Sequence, residues 1–142
     1  MEKSQSQILR RNAYHYMENG YHCSEAILLA LGERYLKQVN PLALRLSTPF
    51  AGGVGGTHLE TCGALTGGIL LIGALYGRAN GQTNDDGCLA LAAAFREKFQ
   101  KEFGWTTCQA LKDNWVGKAG QPDCKTLTER AAGLLIEILE SA

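Results

Sequence analysis

Asp85-Asp86-Gly87-Cys88-Leu89-Ala90-Leu91-Ala92-Ala93-Ala94-Phe95-Arg96-Glu97-Lys98-Phe99-Gln100-Lys101-Glu102-Phe103-Gly104 reads as one amphipathic helix. Phe95, Phe99 and Phe103 recur every four residues, the spacing that stacks side chains on one helix face, and this marks them as core. Asp85 or Asp86 suits the N-terminal cap, and Gly104 suits the stop. The aliphatic segments elsewhere are also too long and too rich in Ala and Leu for strands.

Working outward, Ser4 to about Asn19 reads as a first helix, with Ile8, Ala13, Tyr16 and Met17 on its apolar face and Gly20 as its end. A second helix runs from about Ser24 to Leu36. Asn40-Pro41 opens one or two turns over Leu42–Leu46. Thr57 and Glu60 have the spacing of a capping box, which starts a third main helix running to about Tyr76. Thr106 with Gln109 repeats that pattern ahead of a short helix to about Asn114. Asp123 caps a last helix that ends near Glu140. The expected fold is therefore all-α: residues 1–142 as a single compact bundle of about five main helices, with short extra helical turns. One stretch resists any regular element. Gly52-Gly53-Val54-Gly55-Gly56 has four glycines in five residues, which requires a loop with positive φ angles or close backbone approach.

The chain has 142 residues, 45% apolar and 20% charged, so it can bury a core without disulfide staples. Fourteen basic residues balance fourteen acidic ones. That balance gives no footprint for nucleic acid or anionic lipid. It also leaves little self-repulsion, so a homodimer is compatible with it. The uncharged stretch between Glu60 and Arg78 is slightly short for a membrane span and holds Gly63, Gly67, Gly68, Gly73 and Gly77, so a buried helix is expected rather than stable membrane insertion. The opening residues contain no continuous apolar run and Arg10-Arg11 reads as helix surface, so the expected location is cytoplasmic, where thiols rest reduced.

The five cysteines are Cys23, Cys62, Cys88, Cys108 and Cys124. On this helix map each lies at or near a helix start, where free N–H groups and a partial positive charge favour thiolate over thiol. The competing reading treats them as small core residues, and it suits Cys88, which leads Leu89, Ala90 and Leu91 into a packed helix. No C-x-x-C, H-E-x-x-H or P-loop pattern is present, so a multi-cysteine site must be assembled by the fold from distant helices. Four such residues can hold an iron–sulfur cluster or a tetrahedral metal, or form two dithiol pairs. His22 and His58 lie close to cysteines and are candidate ligands or thiolate partners, with a solvent-facing or capping role as the alternative; His15 lies within the first helix. Gly63, Ala64, Gly67 and Gly68 remove bulk beside Cys62, which allows close approach of a helix or an inorganic group.

Cys62-Gly63-Ala64-Leu65-Thr66-Gly67 resembles the CGAxxG motif of the C_GCAxxG_C_C family of redox-active proteins, and Cys23, Cys108 and Cys124 match that family's other cysteines in order. The resemblance spans essentially the whole chain. It implies redox chemistry through four cysteines and leaves Cys88 outside the set. Two forms of that chemistry are expected. In one, Cys62 attacks as a thiolate and another member of the set resolves the mixed disulfide. In the other, Cys23, Cys62, Cys108 and Cys124 bind an iron–sulfur cluster or another thiolate-bound metal, with Gly63 and Gly67 beside it. A redox partner protein follows from either. The contrasting classes are a zinc-stabilised bundle and a helical interaction module with structural cysteines.

Overall fold

A computed structural model describes residues 1–142. The helices are α1 (Lys3–Glu18), α2 (Cys23–Tyr35), α3 (Pro41–Ser47), α4 (Gly63–Tyr76), α5 (Asp86–Phe103), α6 (Cys108–Asn114) and α7 (Cys124–Glu140), with a 3-10 turn at Thr48–Phe50. There is no strand, only isolated bridges at Thr61–Thr107 and Lys118–Gln121. The all-α expectation holds. The count of about five main helices is corrected to seven: five long ones plus α3 and α6, which are seven residues each.

The start signals divide into those that act and those that do not. Asp123 caps α7 as expected, its carboxylate accepting from the Thr126 N–H at 2.8 Å. Asn40 caps α3 by accepting from Leu42 N–H, with Pro41 as the first helical residue. The Thr57–Glu60 capping box does not form. The Thr57 hydroxyl donates to the Gly53 and Val54 carbonyls instead, and α4 begins six residues later with Cys62 as its N-cap. Thr106 does not cap α6 either. Its carbonyl accepts from the Cys62 N–H, and Thr107 occupies the cap position. In the first place the glycine loop takes the groups that a local box would have used, since Glu60 N–H donates to Gly53 C=O; in the second, tertiary backbone pairing does, since Gln109 N–H donates to His58 C=O.

One core of 23 buried residues draws on α1, α2, α4, α5, α6 and α7. Helix α2 packs on α1, α4 and α7, and α5 covers α4 and α7. Phe95, Phe99 and Phe103 are at most 2% exposed. Their rings form an edge-on ladder with centroids 6.3 and 4.6 Å apart, which continues at 5.4 Å to Trp115 just beyond α6. The ladder ties α5 to the short helix that carries Cys108. No helix is long and apolar enough to cross a membrane.

Phe99→Ala should lower the unfolding free energy by about 3–5 kcal/mol, because a fully buried ring leaves a cavity. Urea unfolding followed by circular dichroism measures it. A loss below about 0.5 kcal/mol, the range of an ordinary surface change, would mean the ladder is not core.

Candidate functional site

Four of the five cysteines stand at the first positions of four different helices. Cys23, Cys108 and Cys124 are the first residues of α2, α6 and α7, and Cys62 is the N-cap of α4. All four line one cavity of about 310 Å³. Cys62 and Cys108 are buried, Cys23 and Cys124 half-buried, and none is in a disulfide. Cys88 is placed elsewhere. It is the third residue of α5 and lines a separate shallow groove with Tyr76 and Leu91.

Backbone contacts explain the convergence. The segment before α4 pairs antiparallel with the segment before α6: Cys62 N–H donates to Thr106 C=O at 2.8 Å, and Cys108 N–H donates to Glu60 C=O at 2.9 Å. Cys62 and Cys108 each follow the bridged pair Thr61–Thr107 by one residue, so alternation puts both on the same face of the pairing. On the other side, α4 lies directly on the start of α2. A side-chain carbon added at Gly63 would fall within 3.0 Å of the Cys23 sulfur. The Ser24 hydroxyl, fully buried, donates to Ser47 C=O at 2.8 Å and fixes the α2 start against the end of α3.

The glycine loop closes a third side. Gly52, Gly53, Val54, Gly55 and Gly56 all have positive φ, from 57 to 70°, which makes one left-handed turn. L residues with side chains resist that conformation, so the four glycines are what permit it. Gly52 and Gly56 line the cavity, while Gly53 is pressed on Cys108 with no space for a Cβ. Gly63 also borders the cavity. Gly67, expected beside a cofactor, lies one turn further on against the Ser24 backbone and Ile27, where it serves helix contact. His22 and His58 line the cavity. His15 does not, and instead pairs with Glu18 on the surface of α1.

The electrostatics differ from the sequence expectation. Burial pushes the Cys62 thiol well above its ordinary range; the neighbouring Cys23 adds to this, and the Ala64 N–H only partly opposes it. Cys108 and Cys124 are also raised, burial again coming first, with Lys112 pulling both back down. Helix N-termini therefore do not leave these three as free thiolates: removal from water outweighs the favourable N–H groups. Lys112 went unnoticed in the sequence. It is four residues after Cys108, hence on the same face of α6, and it also lines the cavity.

Four thiols at helix starts thus surround one cavity on an all-helical scaffold. Residues 21–138 match the family described as "Putative redox-active protein (C_GCAxxG_C_C)", and the chain belongs to that family. Neither a curated protein nor a solved structure matches the chain.

The raised thiols carry a linkage consequence. Above about pH 8.5 the unfolded chain loses thiol protons that the folded chain keeps. The unfolded state then binds fewer protons, so stability is full below that pH and declines as pH rises. Reduced, metal-free protein should show a lower urea midpoint at pH 9.5 than at pH 7. Cys62→Ala should shrink the difference, and a midpoint independent of pH would contradict the assignment.

Proposed function

We propose that the protein carries electrons, with Cys23, Cys62, Cys108 and Cys124 as the ligands of an iron–sulfur cluster. The observation that carries this reading is the convergence of the four thiols on one cavity from four helix starts. Each helix start offers backbone N–H groups and a partial positive charge to whatever negative charge gathers there. The Ala64 N–H directed at the Cys62 sulfur is one such group. Hydrogen bonds of this kind to cluster sulfurs set reduction potential.

Four cysteine thiolates are the usual ligand set of an iron–sulfur cluster. No three His, Cys, Asp or Glu side chains stand close enough together to share a single ion as they stand. Bare glycine backbone at Gly52, Gly56 and Gly63 leaves the room. When bound, such a cluster supplies reversible one-electron transfer. The protein's part is to hold four sulfurs, exclude bulk water from Cys62 and Cys108, and compensate charge. The raised thiols agree with this division of labour: buried neutral thiols are poor nucleophiles, whereas a metal displaces their protons outright.

Thiol–disulfide exchange is the second reading. The effect of Lys112 on Cys108 and Cys124 favours it, because a cation beside two thiols is what an exchange pair needs. Five unpaired thiols suit a reducing compartment such as the cytoplasm under either reading.

Protein purified without oxygen should contain iron and acid-labile sulfide in matching amounts, with a broad visible absorption that bleaches on reduction. Cys62→Ser should abolish retention of both, and Cys88→Ser should leave both near the wild-type level. Stoichiometric zinc, or a metal-free protein with a reversible disulfide among the four cysteines, would overturn the cluster.

A further inference from the structure

Lys112 is the only charged side chain among those lining the four-cysteine cavity. It forms no ion pair, although Asp113 is its chain neighbour; that carboxylate instead accepts from Gln109 at 2.8 Å. The remaining walls are largely apolar, with Leu111 and Leu127 among them. Lys112 is exposed, so water solvates its ammonium, but it lines the mouth of the cavity, where the deprotonated cysteines of an occupied site would feel its charge. Lys112 stands one turn after Cys108 on the same face of α6 and lines the same cavity as Cys124 at the start of α7, and its charge pulls both thiols down. Asp123 opposes it at Cys124 alone.

We propose that Lys112 is the charge-compensating residue of this site and sets a positive potential on its Cys108–Cys124 side. The inference deepens the cluster reading and rests on it for its biological meaning, but the potential exists with or without a cluster. It gives the site an orientation: negative charge, whether on metal-bound thiolates or on an incoming anionic group, is favoured toward α6 and α7 rather than toward Cys62.

The test uses two alkylating reagents of different charge on reduced, metal-free protein. Iodoacetate is an anion and iodoacetamide is neutral, and both attack the same thiolate. The ratio of their rates at a given cysteine therefore cancels its ionised fraction and reports the local potential. Rates at each cysteine are read by peptide mass spectrometry. Lys112→Gln should lower the iodoacetate-to-iodoacetamide ratio at Cys108 and Cys124 by about two- to fivefold, the size expected of an exposed charge. Lys112→Arg should preserve the ratio. Raising salt to about 1 M should erase the wild-type excess, because screening then acts within about 3 Å. The ratio at Cys88 should not move in any variant. An unchanged ratio at Cys108 and Cys124 in Lys112→Gln, or an equal fall at Cys88, would overturn the proposal. In iron-loaded protein, Lys112→Gln should also lower the reduction potential at unchanged iron content. Wild-type protein that retains no iron would sink the cluster reading and leave the alkylation ratio to decide on Lys112.

Discussion

The start of α4 rests on the start of α2 with no room for a side-chain carbon between them. At Gly63 the obstacle is the Cys23 sulfur, and at Gly67 it is the Ser24 backbone and Ile27. This contact sets the distance between Cys23 and Cys62, and the other features of the site are arranged around it. Once α4 is placed, the Cys62 N–H meets Thr106 C=O and draws in the start of α6 with Cys108. The phenylalanine ladder on α5 reaches Trp115 and holds α6 from behind. Helix α7 packs on α1, α2, α4 and α5 and brings Cys124 to the same cavity. Small residues at one helix crossing thus propagate into the position of four sulfurs.

Much of the fold could be read from periodicity. The four-residue spacing of the phenylalanines named core positions, and Gly20, Gly104 and Asp123 marked real helix boundaries. What could not be read locally was the segment from Thr57 to Thr107, where two capping boxes were expected and neither formed. A capping box is a contact within one turn. Here the Gln109 N–H meets His58 C=O about 50 residues away and the Glu60 N–H meets Gly53 C=O in the glycine loop, and one-dimensional spacing carries no sign of either.

The candidate site was legible in its membership but not in its electrostatics. Cys23, Cys62, Cys108 and Cys124 meet at one cavity, and Cys88 lies apart. Proximity of each cysteine to a helix start was correct, but at Cys62, Cys108 and Cys124 the inference from that position to a depressed pKa was not. Helix position is a local property visible in the chain. Burial is a property of the whole packed molecule, and for Cys62 it dominates. Lys112 was missed for a different reason: its i+4 relation to Cys108 is visible in sequence, but whether that face of α6 points to a cavity or to water is not.

The site gathers residues from position 23 to position 124, so nearly the whole chain must emerge and fold before its four sulfurs meet. Contacts this far apart along the chain form late, since closing long loops is entropically costly. A growing polypeptide therefore holds no preformed cage in which to trap a stray ion. Any ligand bound at the finished site spans the start of α2 and the start of α7. It acts as a clasp on the bundle, opposing global unfolding by its full binding free energy at the prevailing concentration.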